Sequence, residues 1–343
     1  MHTVKRVYEN LLNKGRIIEL IELAAKHKKH RQEVQTVLNN IDEYADKILV
    51  MLKAGDFKLS PQWHKTIIEK GKKRELTISP FYPNRILDYI IVETLKPYIR
   101  KSMYEYCIGN VDKRGLDYGI KVIKRTYKQY KYYLQLDIRK FYPSVKSETM
   151  IAFMKTKIKD QRFMKMCEAV VLRCPDLPIG SYYSQWFSNW ILQDLDHYVK
   201  EKLRVPFYVR YVDDMLLMGN NKRKLLNAMY EINKYLEGKG LSLKKLVQVK
   251  QWKVAPIDFL GFRFGQNVKI RSQAFKKLRR LLSKLNAKKH ISVSQARSLT
   301  SYLGWIKYAS HSYTIYNDRV KPVVAKKVLK KIISDYDRRH NYG

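Results

Sequence analysis

The segment that most constrains the fold covers residues 207–218, where two β-prone arms, FYVRYV and MLLM, flank the acidic pair Asp213 and Asp214. This pattern predicts a tight hairpin with both carboxylates at its turn. Neighbouring side chains in a straight strand point to opposite faces, and a tight turn removes that restriction, so both can reach one site. Aspartate is also a common turn former, and the alternative is a turn without a chemical role.

A third carboxylate, Asp137, ends the apolar strand predicted over 132–136. A charge buried there would be costly without a partner, which the turn-former explanation does not account for. Three carboxylates at strand ends would form a negative pocket in a positively charged chain. Hard oxygen ligands suit Mg²⁺, and a pair of such ions supports in-line phosphoryl displacement. We predict a divalent metal site of the kind that nucleotidyl transfer needs.

The charge balance indicates a polyanionic partner. The chain has 343 residues with 69 Lys and Arg against 31 Asp and Glu, a formal net charge of +38. Nucleic acid is the leading partner and an anionic membrane surface the weaker one; the alternative is a lysine-rich solvated surface. The longest charge-free stretch, 177–193, contains Pro178 and Gly180 and predicts no membrane span. With no recognisable secretory signal and three cysteines outside any paired motif, we expect a cytoplasmic protein.

Helical and strand patterns mix along the chain without a regular alternation, which predicts an α+β fold. Residues 1–60 have apolar positions at helical spacing and predict a basic helical extension. A hairpin is predicted around the basic, glycine-containing turn within 67–78, and a second hairpin over 259–270. From residue 272 onward the pattern is helical again and dense in Lys and Arg.

Four motifs carry a resemblance: LQLDIRKFYPSV around Asp137, LPIGSYYSQ at 177–185, YVDD at 211–214 and FLGF at 259–262. In order and spacing they resemble the palms of reverse transcriptases. The chain is similar to prokaryotic reverse transcriptases, closest to those of diversity-generating retroelements and related to group II intron-like and phage-defence enzymes. The resemblance implies a right-hand polymerase. Its regions would be an N-terminal helical extension (1–60), fingers and palm (61–270) and a C-terminal helical thumb (271–343).

The resemblance also implies an activity and a set of metal ligands. The activity is the copying of an RNA template into cDNA from deoxynucleoside triphosphates, with two Mg²⁺ ions that Mn²⁺ can replace. Asp137, Asp213 and Asp214 would be catalytic and would hold the ions, together with the carbonyl of Ile138. Lys244 would deliver a proton to the departing pyrophosphate, and a surface role is its alternative.

Further positions match nucleotide-binding motifs of this family. Tyr142 corresponds to the aromatic residue that packs beneath the sugar and excludes a 2′-hydroxyl; an ordinary core tyrosine is the alternative. Ile179 stands where more accurate relatives have glutamine, so base selection is expected to be relaxed. Gly180 would let the backbone approach the nascent base pair. The other implied nucleotide contacts are Gln185 in the same motif, Arg74 with Lys70 and Lys72 on the fingers hairpin, and, through a less complete match, Arg114.

The C-terminal part of the chain is expected to hold primer and template. Phe259, Leu260 and Gly261 resemble the hairpin that holds the primer end. Beyond it, basic side chains on a helical stretch suit a duplex backbone, and a solvated helix is the alternative for each of them. They include Lys276, Lys277 and Arg280.

Two other functions fit part of the pattern. An RNA-dependent RNA polymerase uses a similar acidic turn, but Tyr142 argues against it. A non-catalytic RNA-binding module can lose carboxylates freely, whereas all three are present here. The expected partners are a template or noncoding RNA, primer and cDNA strands and dNTPs, with a small basic accessory protein or a second reverse transcriptase as candidate protein partners. The setting is either a mutagenic retroelement or antiphage defence with a dedicated noncoding RNA.

Overall fold

The computed structural model describes residues 3–69, 72–109, 111–112, 114–287 and 290–339, and it confirms a mixed helix and sheet architecture. The N-terminal helices are α1 (Lys14–Ala25), α2 (Gln32–Asn39) and α3 (Ile41–Ala54). The Asn13 side chain caps α1 by accepting a hydrogen bond from the Arg16 amide. Helix α3 ends at Gly55, whose φ of 63° is the left-handed conformation typical of a helix C-terminus.

These N-terminal helices pack into the main hydrophobic core. Ile17 and Leu20 of α1 are buried in the same cluster as apolar residues of the central sheet. Upstream of α1, the backbone of Val4 pairs with that of Ile158 in parallel orientation. The helical opening predicted from the sequence is thus attached to the body of the protein by both side-chain packing and backbone hydrogen bonds.

A two-stranded antiparallel hairpin follows, formed by β1 (Trp63–Glu69) and β2 (Lys72–Ile78), and it confirms the hairpin predicted within 67–78. The next elements are α4 (Ile86–Lys101) and α5 (Leu116–Thr126). Helix α4 is buried along most of its length, which fits its apolar sequence. It connects the hairpin to the core of the molecule.

The middle of the chain builds one antiparallel sheet and the helices that cover it. In chain order these are β3 (Tyr132–Asp137), α6 (Phe141–Ser144), α7 (Ser147–Lys157), α8 (Gln161–Val171), α9 (Tyr182–Ile191), α10 (Gln193–His197), β4 (Phe207–Tyr211), β5 (Asp214–Gly219), α11 (Lys222–Glu237) and β6 (Lys250–Gln251). The strands lie in the order β4-β5-β3-β6. Strands β3 and β5 pair from Tyr132 opposite Gly219 to Asp137 opposite Asp214.

Both faces of this sheet are buried, which explains the continuous apolar run of β5. Met215 and Leu217 belong to the core that contains the N-terminal helices. Leu216 and Met218 belong to a second core on the other face. Successive side chains of a strand point to opposite faces, so a strand covered on both sides is apolar throughout. The acidic residues stand at the open end of this strand.

The elements after residue 256 pack into the second core. Its elements are the antiparallel strands β7 (Ile257–Phe259), β8 (Phe262–Phe264) and β9 (Val268–Ile270) and the helices α12 (Ser272–Asn286), α13 (Val293–Ile306), α14 (Ser312–Ile315) and α15 (Lys326–Arg339). The β8–β9 pair confirms the second predicted hairpin, and β7 adds a strand to it. Ser292 and Gln295 form a capping box at the start of α13. Within the described ranges, no helix has the length and apolar character needed to cross a membrane.

We expect Asp160→Ala to destabilise the protein by about 3 kcal/mol, because charge-assisted hydrogen bonds contribute about 1.5–3 kcal/mol and a helix cap about 1 kcal/mol. Asp160 Oδ2 accepts hydrogen bonds from the amides of Val7 and Tyr8 at 2.8 and 2.9 Å, which attach the N-terminal segment. Its Oδ1 caps α8 through the Phe163 amide at 3.1 Å. Urea denaturation of the purified variant measures the loss.

Asn221→Ala is the matched control for this prediction. The Asn221 side chain caps α11 through the Lys224 amide and, among the residues that the structure describes, makes no long-range bond comparable to those of Asp160. Its replacement should cost about 1 kcal/mol. Equal losses for the two variants would show that the bonds to the N-terminal segment contribute nothing.

Candidate active site

The predicted hairpin turn is present, and its backbone is strained. Tyr211 pairs with Asp214, which leaves Val212 and Asp213 as a two-residue loop. Val212 has a φ of 57°, in the left-handed region that a β-branched residue avoids. A positive φ at the first loop position alone is the pattern of type II′ hairpin turns, where glycine is usual. Such strain persists only where the surroundings hold it, and here it places Asp213 outside the strand.

The strand register brings the three carboxylates together. Asp137, the last residue of β3, lies directly opposite Asp214, the first residue of β5. Directly opposed residues of antiparallel strands have Cβ atoms about 4.5–5.5 Å apart, and like charges at such positions repel. Asp213 projects from the adjoining turn, close enough for the charge of Asp137 to raise its pKa. The grouping anticipated from the sequence is therefore present in the structure.

Burial and the proximity of the carboxylates to one another raise the pKa values of Asp213 and Asp214. Burial, followed by the charges of Asp213 and Asp137, raises the pKa of Asp214 from 3.8 to about 6. Burial raises the pKa of Asp213 as well; a backbone hydrogen bond opposes this shift and the charge of Asp137 adds to it. The Asp214 side chain still faces the solvent, so water screens part of the repulsion. A cation bound here would favour the charged form of all three.

Lys244 supplies a positive charge to this group. Its Nζ donates to Oδ2 of Asp137 at 3.0 Å, and its amide donates to the Asp137 carbonyl oxygen at 2.8 Å. The hydrogen bond to Asp137 raises the pKa of Lys244, so in this arrangement its proton is held more tightly than in water. The residue predicted to act as a general acid is thus at the site, where it is the counter-ion of Asp137.

The donor chemistry fits a hard divalent cation. The three aspartates offer carboxylate oxygens, and Ile138, buried next to Asp137, adds a backbone carbonyl to the same strand end. In the part of the chain that the structure describes, no three His, Cys, Asp or Glu side chains are arranged to hold an ion as they stand. The Lys244 ammonium group occupies one oxygen of Asp137. The other oxygen, Oδ1, has no such ion pair within the described ranges and could ligate a cation beside the ammonium group.

Asp137 and Asp214 line a cleft of about 980 Å³ between the central sheet and the C-terminal helices, and Asp213 lies next to Asp214 but is not part of the lining. Of the predicted nucleic-acid contacts, Phe259, Leu260, Gly261 and Lys277 line the same cleft. Lys276 and Arg280 are exposed on α12 and are not part of its lining. Gly261 has a φ of 83°, and an added Cβ would lie 3.1 Å from the Trp305 ring, so both backbone and packing favour glycine there.

The cleft also contains residues that sequence reasoning missed, including Arg271, Arg297, Tyr302 and Trp305. Arg271 lowers the pKa of Asp214 against the effect of burial, and it also binds Asp258 through Nε at 3.3 Å. The four-residue spacing of Arg297, Ser301 and Trp305 places them on one face of α13. This four-residue periodicity is visible in the sequence and could have indicated that these side chains share one helix face.

Tyr142 lies beside the carboxylates. It is carried by α6 and is half-buried. Burial raises the pKa of its hydroxyl, and the charges of Asp213 and Arg74 also act on that hydroxyl. The fingers hairpin, through Arg74, therefore shares the electrostatic environment of the acidic turn.

The 177–185 segment forms a loop bound to the fingers hairpin. The Thr77 amide of β2 donates to the Ile179 carbonyl at 2.8 Å, and Arg85 donates to the Gly180 carbonyl at 3.3 Å. Gly180 has a φ of 119°, and an added Cβ would lie 2.6 Å from the Thr77 carbonyl oxygen. This contact by itself requires glycine. The predicted approach of Gly180 to a base pair is a separate role and stays a prediction.

The other predicted nucleotide contacts are more dispersed. Gln185 is exposed on α9. Arg114 is half-buried and donates to the Tyr104 carbonyl at 3.1 Å, which gives its guanidinium a structural role. Lys72 is the first residue of β2, and Lys70 lies outside the described residues.

An antiparallel sheet whose acidic hairpin turn faces a strand-end carboxylate, in a cleft with basic walls, is suited to template-directed nucleotidyl transfer. Residues 65–264, more than half of the chain, match the family described as reverse transcriptase (RNA-dependent DNA polymerase). The chain belongs to this family of nucleotidyltransferases. The predicted palm-and-fingers fold is thereby confirmed.

The chain is also similar to an "uncharacterized 91 kDa protein in cob intron" of Schizosaccharomyces pombe. The two are 26% identical over 178 residues, which covers 47% of this chain and 21% of the relative. The chain thus matches about a fifth of that protein's length. The similarity is a distant one to an intron-encoded protein.

We expect Asp214→Asn to raise the melting temperature at pH 7–8 in EDTA by up to about 2 °C, since solvent screening limits the gain to less than about 1 kcal/mol. Because folding raises the pKa of Asp214 from 3.8 to about 6, the folded protein binds more protons than the unfolded chain between these values. The carboxylate therefore costs stability above pH 6. The gain should disappear as the pH falls from 6 to 3.8.

Thermal melts across this pH range measure the effect. Asp258→Asn is the control, because Asp258 lines the same cleft but pairs with Arg271; it should give no stabilisation at any pH. A gain for Asp214→Asn that is the same at pH 4 and pH 8 would contradict the raised pKa that burial and the neighbouring carboxylates give Asp214.

Proposed function

We propose that this protein is an RNA-directed DNA polymerase that extends a primer on an RNA template. The observation that carries the proposal is the pairing of β3 with β5, which sets Asp137 opposite Asp214 and leaves Asp213 in the adjoining turn. Membership of the reverse transcriptase family supports it. The net charge of +38 supports a nucleic-acid partner.

In this proposal Asp137, Asp213 and Asp214 hold two Mg²⁺ ions, with the Ile138 carbonyl beside them and Mn²⁺ as a substitute. Bound divalent ions neutralise phosphate charge and activate the attacking hydroxyl. The protein contributes by concentrating negative charge at one strand end, at the cost of the raised pKa values of Asp213 and Asp214.

The reaction is an in-line displacement. The 3′-oxygen of the primer forms a bond to the α-phosphorus of the nucleotide, while the bond from that phosphorus to the pyrophosphate oxygen breaks. The hydroxyl proton leaves to solvent. Lys244, released from Asp137, can give a proton to the departing pyrophosphate. Arg74, with Lys70 and Lys72, would bind the triphosphate from the fingers hairpin, since a guanidinium fork suits phosphate oxygens.

The primer–template duplex would lie in the cleft beside these carboxylates. Phe259 ends β7, and Leu260 and Gly261 connect β7 to β8; all three line the cleft, where they can contact the primer end. Lys277 from the cleft wall, and Lys276 and Arg280 on the exposed face of α12, would neutralise backbone phosphates. In this scheme the helical region after residue 270 acts as the thumb.

Within the reverse transcriptases, we place this chain nearest to the mutagenic retroelement enzymes, because of its 177–185 motif. Ile179 cannot provide the polar contact that a glutamine amide would make, which favours relaxed base selection. Sequencing of the copurified RNA and its cDNA tests this placement. Substitutions at template adenines support it, whereas a faithful copy of one noncoding RNA indicates the defence alternative.

We expect Asp213→Asn to reduce primer extension at least about 10³-fold, because one lost carboxylate removes several kcal/mol of metal-dependent stabilisation. Primer–template affinity should stay near that of the wild type, since the carboxylate does not bind phosphate. Single-turnover extension and a filter-binding assay measure the two quantities.

Asp176→Asn makes the same chemical change outside the cleft, where Asp176 pairs with Lys146 at 3.5 Å. It should extend primers like the wild type. Unchanged synthesis by Asp213→Asn, with binding intact, would remove the metal assignment.

We expect Tyr142→Ala to lower the preference for deoxynucleotides over ribonucleotides by about 10–200-fold, the range that a filled or emptied apolar pocket supplies. Tyr142→Phe keeps the ring, removes only the hydroxyl, and should keep the preference. The ratio of kcat/KM for dNTP and rNTP measures it. An equal change in both variants would mean that the hydroxyl, not the ring, selects the sugar.

A further inference from the structure

We infer that a buried network around Arg210 is a positioning device for the acidic turn, an inference that rests on the proposed polymerase function. Arg210 lies on β4, three residues before Asp213, and its side chain is completely buried. A buried guanidinium is costly unless it is paired and hydrogen-bonded. Its place directly beside the turn gives it access to the turn's backbone.

The guanidinium has a partner for each of its five N–H groups. Nε and Nη2 donate to the two carboxylate oxygens of Asp196 at 2.7 and 2.5 Å, and Nη2 also donates to Cys107 Sγ at 3.3 Å. Nη1 donates to Asn189 Oδ1 at 3.0 Å and to the carbonyl oxygen of Val212 at 2.9 Å. Asp196 thus orients the guanidinium, and the guanidinium holds the strained residue of the turn.

Asn189 extends the network to the backbone around Gly109, which packs against the turn. Its side-chain amide donates to the Gly109 carbonyl. An added Cβ on Gly109 would lie 2.7 Å from both the amide nitrogen and Cγ2 of Val212. Next to it, Cys107 pairs with Arg210 as a parallel bridge. The segment around Gly109 is therefore fixed alongside β4 and in contact with Val212.

These contacts hold Val212 at its carbonyl, its amide side and its side chain. Val212 has the φ of 57° that a free valine avoids, so without them the turn would relax and Asp213 would move. A buried ion pair adds little stability compared with apolar side chains of similar size. The hydrogen bond to the Val212 carbonyl is the contribution that an apolar pair cannot make.

The test replaces the charged network by apolar side chains, in a variant that combines Arg210→Met, Asp196→Leu and Tyr208→Phe. The third change removes the hydroxyl that donates to Asp196 at 2.8 Å and would otherwise lose its acceptor. We expect a folded protein whose kcat for primer extension falls about 100-fold, as misplacement by about 1 Å can cause, with little change in KM for dNTP. We also expect at least about tenfold faster amide hydrogen exchange in the 207–219 segment.

A second buried pair provides the matched control. Arg173 donates through Nη2 to Asp88 Oδ1, and both side chains are nearly or completely buried. Neither makes a described hydrogen bond with the 211–214 turn. The double variant Arg173→Met with Asp88→Leu should keep the wild-type kcat and the wild-type exchange of the 207–219 segment.

Gly109→Ala disturbs the same turn from the other side and leaves the ion pair intact. We expect it to lower kcat by about 100-fold as well. If the triple variant does not fold, this variant alone tests whether the contacts with Val212 position the acidic turn. Wild-type kcat and exchange rates in either folded variant would overturn the inference. If the wild type extends no primer, the polymerase proposal fails, and hydrogen exchange in the 207–219 segment still decides whether the network holds the turn.

Discussion

Two carboxylates facing each other across a strand pair are the interaction on which the rest of this structure depends. Asp137 and Asp214 repel each other at directly opposed positions, and they are kept there by the apolar residues behind them. Met215 and Leu217 enter one core while Leu216 and Met218 enter the other. A slip by one residue would exchange these faces. The hydrophobic pattern fixes the register, and the register fixes the carboxylates.

A few residues of the site have unfavourable conformations or charges, and contacts with many surrounding residues hold them in place. Val212 carries the backbone strain, and Asp213 and Asp214 carry raised pKa values. The Arg210 network holds the strained turn, and the Lys244 ammonium group neutralises part of the negative charge at Asp137. Function and stability oppose each other at this strand end, as they do where an active site concentrates like charges.

The local part of this architecture could be read from the sequence, and the part made by long-range contacts could not. The YVDD hairpin, the strand before Asp137 and the fingers hairpin follow from short patterns, and the structure contains all three. The close approach of Gly180 to Thr77 joins segments that no periodicity links. The Arg114 bond to Tyr104 depends on tertiary packing in the same way. A single arginine within the apolar run FYVRYV was a usable signal for the buried network, because a charge in such a strand needs a partner.

The large positive charge and the small acidic site are compatible because they act over different distances. At physiological ionic strength, charges more than about 8 Å apart are largely screened, so a small cation at the strand end responds mainly to Asp137, Asp213 and Asp214. A nucleic acid spans many screening lengths and responds to the basic surface as a whole. Lys244 acts at both distances, since its ammonium group pairs directly with Asp137 and its half-exposed side chain is also part of the basic surface. A cation that neutralises Asp137 would weaken the attraction between this carboxylate and Lys244, which would make the ammonium group more readily available to phosphate oxygens.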